Sequence, residues 1–238
     1  QQQQQQQSIN SSSSSSSSSI RRRRKEEADS DPTVWNDWSS ASEPARSLLA
    51  TKGIDTKTCA EWKEPSKEDT EMVRKQLGRP PEGKWEVSSR CPSGHPQTVR
   101  VYPLKKDRKS KRLLPHPTYY WLTCPAIVGR IGVLERENGC LRAKEWVSKD
   151  KSRMEAYKRN HMEYAFVRCH SLTKEDRRYV DTLPPNFQSR IKFSGIGGAA
   201  HWQNTKCLHQ IYAHHLNNKN NIIGTWIDET IAIHPCTK

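Results

Sequence analysis

The segment Pro117-Thr118-Tyr119-Tyr120-Trp121-Leu122-Thr123-Cys124-Pro125 decides the fold class of this chain. The residues before Cys124 are rich in aromatic and β-branched side chains, which favour a β-strand. Pro125 suits the first turn of a helix, and the apolar residues after it recur at helical spacing: Ile127, Val128, Ile131 and Leu134. The segment therefore predicts a strand that passes into a helix. Cys124 would lie at the helix N-terminus, a position that favours bound anions and reactive thiols.

Two more strand patterns precede this segment. Trp85-Glu86-Val87-Ser88 alternates in polarity, and residues 97–102 place Val99 and Val101 on one face. The stretch Cys91-Pro92-Ser93-Gly94-His95-Pro96 connects them. Its prolines and glycine predict a turn that holds Cys91 on a restricted backbone.

Helical patterns surround these strands. The first begins at Lys67, with Ser66 as its cap, and ends at Gly78; the others cover about residues 125–138, 151–168, 173–180 and 205–216. Together the patterns predict an α+β domain of residues 67–230. We expect a small antiparallel sheet of about three strands, covered by roughly four or five helices.

The terminal segments are expected to lie outside this domain. Residues 1–66 contain a glutamine tract and a serine run, which cannot bury apolar surface, so they predict a disordered, low-complexity tail and linker. Three tryptophans, Trp35, Trp38 and Trp62, offer the alternative that the linker is anchored on the domain. Residues 231–238 are expected to form a C-terminal tail.

The chain is basic, with a formal net charge of +14. Residues 1–68 hold equal numbers of basic and acidic side chains, so the surplus arises from residues 69–238. Its densest run is residues 100–112, which predicts a loop that binds nucleic acid or another polyanion. The alternative is a solvated loop. The basic residues that would make the contacts are Lys105, Lys106, Arg108, Lys109, Lys111 and Arg112.

Composition also bears on the compartment. No apolar run approaches the length of about 18 residues that a membrane-spanning helix needs. Seven cysteines in 238 residues are an odd number and too sparse for a disulfide scaffold. We therefore expect reduced thiols in the cytoplasm or an organelle. The chain does not begin with methionine, so an N-terminal targeting segment stays open as an alternative.

Three cysteine motifs contain the candidate metal ligands and reactive thiols of the sequence. They are Arg90-Cys91-Pro92, the Cys124-Pro125 junction, and Lys206-Cys207-Leu208-His209, which continues to His214. The leading hypothesis is a shared metal centre of Cys91, Cys124 and Cys207 with His209 or His214, holding tetrahedral zinc or an iron–sulfur cluster. Cys207 and His214 share a helical face if the last helix begins near Thr205. If it begins later, His209 becomes the better partner.

Two other functions remain open. In a cysteine-dependent enzyme, Cys124 or Cys207 would be the nucleophile and His209 or His214 the base, while Gly195, Gly197 and Gly198 would hold an anionic or phosphorylated substrate. In an RNA-binding module, the cysteines would serve stability alone. The remaining cysteines are interpreted as packing or surface residues: Cys59, Cys140, Cys169 and Cys236.

These motifs also resemble a bacterial family, domain of unknown function 501, over about residues 69–230. The resemblance rests on segments that occur in the same order: Gln76-Leu77-Gly78-Arg79, Arg90-Cys91-Pro92, Tyr120 to Pro125, Leu134-Glu135, Gly195-Ile196-Gly197-Gly198 and Lys206-Cys207-Leu208-His209. It implies no established reaction, substrate or cofactor. Function must therefore be argued from the residues themselves.

Overall fold

The computed structural model describes residues 61–233. The expectations for both low-complexity tracts, Trp35, Trp38, Cys59, Cys236 and most of the C-terminal tail lie outside the described residues. Within that range the chain has the predicted α+β class. It forms a three-stranded antiparallel sheet, a separate two-stranded sheet and eight α-helices.

The elements follow one another in this order: α1 (Lys67–Leu77), β1 (Trp85–Arg90), β2 (Pro96–Val101), β3 (Leu104–Lys106), β4 (Leu113–Pro115), β5 (Tyr120–Leu122), α2 (Pro125–Arg136), α3 (Gly139–Ser148), α4 (Lys151–His170), α5 (Lys174–Asp181), α6 (Pro185–Lys192), a 3₁₀ turn (Ile196–Gly198), α7 (Leu208–Asn217) and α8 (Ile222–Thr230). None of the helices in residues 61–233 is long and apolar enough to cross a membrane.

The three-stranded sheet has the strand order β1-β2-β5. Val99 of β2 lies opposite Val87 of β1 and Trp121 of β5. Helix α1 covers part of this sheet with Val73, which is fully buried among apolar side chains of β1 and β2. The predicted start and end of α1 are confirmed. Ser66 Oγ accepts a hydrogen bond from the Asp69 N–H at 3.0 Å, and Gly78 ends the helix with a φ of 78°.

The main core lies between β5 and helices α2, α4, α7 and α8. Its fully buried members include Tyr119, Ile131, Tyr164, Leu208 and Ile223. A smaller cluster packs the β3–β4 hairpin against helices α5 and α6 through Leu104, Leu172, Val180 and Ile191. The helices thus pack around two different sheets.

The helices outnumber the roughly five that the sequence predicted. Helices α3, α6 and α8 were missed, and the first two begin with residues that read as a break. Asn138, before α3, has a left-handed backbone, and α6 begins at Pro185 within a pair of prolines. Helix α8 is capped by Asn221, whose side chain accepts from the Gly224 N–H at 3.0 Å.

Residues on either side of the expected domain, 67–230, contact its core. Trp62, which precedes the expected start at Lys67, packs on the main core and donates its indole N–H to the Ser171 carbonyl at 2.9 Å. The Arg100 guanidinium lies 4.6 Å from the centre of its ring. At the other end, Ile231 and Ile233 pack on the same core. These contacts agree with the alternative that Trp62 anchors the linker on the domain.

We predict that Trp62→Ala lowers the free energy of unfolding by about 2 kcal/mol, because it removes the indole that contacts Tyr102, Tyr119 and Arg100. For a domain of this size, the melting temperature should fall by about 4–8 °C. Trp62→Phe keeps an aromatic ring but loses the donor to Ser171, and it should cost about 1 kcal/mol. Thermal melting of both variants measures the two contributions. An unchanged melting temperature of the alanine variant would support Lys67 as the start of the folded domain.

Candidate metal centre

The last cysteine motif lies at the start of helix α7. This helix begins at Leu208 rather than near Thr205, so Cys207 is its N-cap residue with an extended backbone. His209 then lies in the first turn, beside the thiol. The later start therefore selects His209 as the partner of Cys207, which is the second of the two alternatives that the sequence left open.

Three potential ligands meet at this point. The ligand atoms of Glu135, Cys207 and His209 all lie within 4.8 Å of one another. Cys207 Sγ is 3.9 Å from His209 Nδ1, and the same nitrogen is 3.1 Å from Glu135 Oε2. The side chains of His209 and Glu135 are 24% and 26% exposed, so solvent reaches the group.

Backbone groups hold two of these side chains in place. Glu135 Oε1 accepts a hydrogen bond from the Leu208 N–H at 2.6 Å, which satisfies a donor at the start of α7. His209 Nε2 lies 3.1 Å from the Val128 carbonyl oxygen. A carbonyl only accepts, so this contact places a proton on Nε2. Nδ1 is left facing Glu135 and Cys207.

The thiol is protonated in this environment at neutral pH. Burial raises the pKa of Cys207 to about 11. The nearby Glu135 carboxylate also raises this pKa, whereas hydrogen bonds from the backbone N–H groups of Gln210 and His209 lower it in part. Burial likewise raises the pKa of Cys140, whose Sγ is 4.0 Å from Glu135 Oε1. Neither cysteine resembles a thiol activated for attack.

The other predicted ligands do not join this group. In residues 61–233, no second set of three or more His, Cys, Asp or Glu side chains has ligand spacing, so Cys91, Cys124 and Cys207 do not form one centre. Cys91 is fixed in the β1–β2 turn, where its N–H donates to the His95 carbonyl at 2.9 Å. Cys124 is the N-cap of α2, as predicted, but its side chain is buried in the main core.

His214 is a core histidine rather than a neighbour of Cys207. Its Nδ1 accepts a hydrogen bond from the Asn221 side-chain amide at 2.9 Å. Its ring packs edge-on against Tyr164, with the ring centres 5.5 Å apart. His214 therefore lies on the buried side of α7.

The glycine loop is a turn in which the N–H groups of Gly195, Ile196 and Gly198 already have acceptors. The N–H groups of Gly195 and Gly198 donate to the Ala199 and Gly195 carbonyls, and the Ile196 N–H donates to His161 Nδ1 at 2.9 Å. A β-carbon on Gly195 would lie 2.1 Å from that ring nitrogen, so glycine is needed for close packing. The expectation of an anion-binding loop at Gly195, Gly197 and Gly198 is therefore not supported by the hydrogen bonding.

Glu135 is the member of the group that the cysteine and histidine motifs did not reveal. It lies in the last turn of α2, 72 positions before Cys207 in the chain. The available signal was the Leu134-Glu135 segment followed by Gly139. A β-carbon on Gly139 would lie 2.5 Å from the Leu134 carbonyl oxygen, so this glycine lets α3 begin directly beside the end of α2.

The basic residues predicted to bind a polyanion lie on the β3–β4 hairpin, not in a loop without regular structure. Lys105 and Lys106 belong to β3, and the other four lie in the connection to β4: Arg108, Lys109, Lys111 and Arg112. Glu82 forms ion pairs with both Lys105 and Arg108. Part of the positive charge is therefore balanced within the fold.

Comparison with known proteins agrees with the resemblance seen in the sequence. The model of the family described as "Protein of unknown function (DUF501)" matches residues 87–229. The chain belongs to this family. All three residues of the candidate centre lie within the matched range of the DUF501 domain. No curated protein and no solved structure matches the chain.

The histidine beside the glycine loop gives a pH-dependent prediction for this DUF501 protein. Burial lowers the pKa of His161 from 6.5 to about 3, against a smaller opposing effect of the Trp202 backbone. The unfolded chain therefore binds a proton that the folded chain rejects, and stability falls as the pH drops from 6.5 towards 3. The full effect is on the order of 4 kcal/mol.

Denaturant unfolding of the parent and of His161→Gln over this pH range tests the prediction. Glutamine keeps an acceptor for the Ile196 N–H but does not titrate. The parent should lose more stability than the variant on acidification. Parallel pH profiles would show that His161 does not control the acid sensitivity.

Proposed function

We propose that Glu135, Cys207 and His209 bind a single zinc ion. The observation that carries the proposal is that their ligand atoms lie within 4.8 Å of one another. Around a tetrahedral zinc ion, a thiolate sulfur and an imidazole nitrogen lie about 3.5 Å apart, and a nitrogen and a carboxylate oxygen about 3.4 Å apart. The corresponding distances of 3.9 and 3.1 Å need only small side-chain adjustments.

The contacts behind the ligands support the same proposal. In metal sites, a histidine ligand usually donates its second ring N–H to a carbonyl or carboxylate, which fixes the tautomer. The contact between His209 Nε2 and the Val128 carbonyl has this form and leaves Nδ1 for the metal. The Leu208 N–H holds Glu135 Oε1 in the same way and leaves Oε2. The ligands are therefore oriented before an ion binds.

The ligand set also indicates the type of zinc site. Structural zinc ions usually have four protein ligands, whereas catalytic zinc ions have three and keep a position for water or substrate. This group supplies three ligands and is partly open to solvent. A zinc ion held here would act as a Lewis acid on an oxygen bound at the fourth position. An iron–sulfur cluster is less well supported, because it needs several cysteine sulfurs together.

A cysteine-dependent enzyme is less well supported at this site. A thiol–imidazole–carboxylate relay needs the thiol and the carboxylate on opposite ring nitrogens. Here Cys207 and Glu135 both face Nδ1 of His209, while Nε2 faces a carbonyl. The raised pKa of the Cys207 thiol, about 11, also disfavours a nucleophilic thiolate. A bound zinc ion would displace that proton.

The remaining alternative is that the group serves only as a helix cap. The Glu135 carboxylate accepts from the Leu208 N–H and lies near the positive end of α7, where an anion is stabilising. A charged His209 would complete an ion pair. Metal affinity distinguishes this alternative from the proposal, because a cap without a metal role has no reason to bind zinc tightly.

Titration of the metal-free full-length chain with zinc, against a chromophoric chelator, tests the proposal. We expect one zinc ion per chain and release of the Cys207 proton on binding. Cys207→Ser and Glu135→Gln should each weaken binding by at least about tenfold. With cobalt as the probe, the parent should show a sulfur-to-metal charge-transfer band that Cys207→Ser removes.

Cys91→Ser and Cys169→Ser are matched controls, since each removes one thiol that lies outside the group. Both should keep the zinc affinity and the cobalt spectrum. Loss of zinc in Cys91→Ser would favour the three-cysteine centre instead. Failure of the parent to bind zinc, or rapid alkylation of Cys207 at neutral pH, would contradict the proposal and favour a helix cap or a reactive thiol, respectively.

A further inference from the structure

The β3–β4 hairpin bounds a cavity of about 390 Å³ that is separate from the candidate metal centre. Its lining combines basic side chains with apolar and imidazole side chains. We propose that this cavity binds a nucleotide, with the phosphate on the basic side chains and the base against the apolar and imidazole ones.

Four cationic side chains form the basic part of the lining: Lys105, Lys106, Arg108 and Lys109. Glu82 pairs with Lys105 at 2.7 Å and also with Arg108. In residues 61–233 neither Lys106 nor Lys109 has an ion-pair partner within 4.0 Å. Two cations are therefore available to a phosphate without breaking an ion pair, and two more are held nearby by a single carboxylate.

The acidic residue of the lining, Asp107, forms no ion pair with the cationic side chains of the described residues and instead stabilises the turn. The Asp107 carboxylate accepts a hydrogen bond from the Ser110 N–H at 2.6 Å. This bond is the main reason that the pKa of Asp107 is lowered, and the N–H groups of Lys109 and Arg108 contribute to it. The carboxylate is thus directed to the backbone of the turn rather than to the lysine side chains.

The rest of the lining suits a flat, weakly polar group. It consists of Leu114, Pro115 and His116. Burial, and secondly the charge of Lys105, lowers the pKa of His116, so the imidazole is neutral at neutral pH. Its ring centre lies 5.8 Å from that of Trp121. Aromatic and imidazole rings beside basic groups are the usual platforms on which nucleic-acid bases stack.

The size of the cavity limits the ligand to one nucleotide at a time. Small-molecule pockets measure about 300–1,000 Å³, and this cavity lies near the lower end of that range. A duplex does not fit such a volume. The nucleotide can be free, or it can be one unit of a single-stranded RNA, because both present the same phosphate and base.

Binding to two labelled probes, adenosine monophosphate and a short oligouridine, tests the proposal on the full-length chain. Lys106→Gln/Lys109→Gln should weaken binding by about tenfold and flatten its salt dependence, because two phosphate contacts are lost. Lys111→Gln/Arg112→Gln is the matched control. It removes the same charge from the same hairpin, but neither residue lines the cavity, and its effect should be smaller than about threefold.

Glu82→Gln gives a second, opposite test. It frees Lys105 and Arg108 from their ion pairs, so we expect tighter binding of the probe. Binding of both probes would identify a free nucleotide site, and binding of oligouridine alone would identify a single-stranded RNA site. If the two double variants weaken binding equally, the attraction is diffuse and the proposal is wrong. Failure of the parent chain to bind both probes would also overturn it.

Discussion

One buried side chain, Arg168, ties together the segments on which the rest of the structure depends. Its guanidinium is fully buried and donates to the carbonyl groups of Pro117, Ile191 and Ser194. A buried charge is costly unless its donors are satisfied, so this arrangement is stable only when all three segments are in place. The carbonyl of Ile191 lies in the last turn of α6, at the negative end of that helix, which favours a cation. Helix α4 thereby fixes the end of α6, the entry to β5 and the start of the glycine loop.

Helix α4 makes a second contact with the glycine loop, through His161. His161 and Arg168 are seven residues apart on α4 and therefore share a face. The Ile196 N–H donates to the ring, and Gly195 allows the backbone to approach it. The N–H groups of Gly195 and Gly198 donate to carbonyls of the same turn. Helix α4 and the hydrogen bonds of the loop itself therefore hold the glycine loop in place.

Much of the fold follows from local patterns, whereas the candidate centre does not. The alternation at Trp85 and Val99, the Cys91 turn and the Ser66 cap each act within a few residues, so the sequence predicts them correctly. The β3–β4 hairpin was missed because its strands are only three residues long and β3 contains two lysines. Packing on α5 and α6, which lie far along the chain, helps to stabilise it. Glu135 was missed because its nearness to Cys207 is created by the crossing of α2 and α7. A difference of a few residues in the start of α7 also decided which histidine faces the thiol, and helix ends are the least predictable feature of a sequence.

The position of Glu135 bears on the proposed binding of a cation. The residue lies in the last turn of α2, where the helix dipole disfavours a negative charge, and also at the first turn of α7, where the dipole favours it. The Leu208 N–H satisfies one carboxylate oxygen, and the other faces His209. The proposed zinc ion would bind Oε2 of Glu135, Nδ1 of His209 and Sγ of Cys207, and it would displace the proton on Cys207. Each of these side chains already has a hydrogen-bond partner in the protein, so we do not expect folding to depend on the ion, unlike that of a zinc finger. Zinc binding would then add stability by mass action to a domain that is already folded, which agrees better with the proposed open site than with a site that holds the fold together.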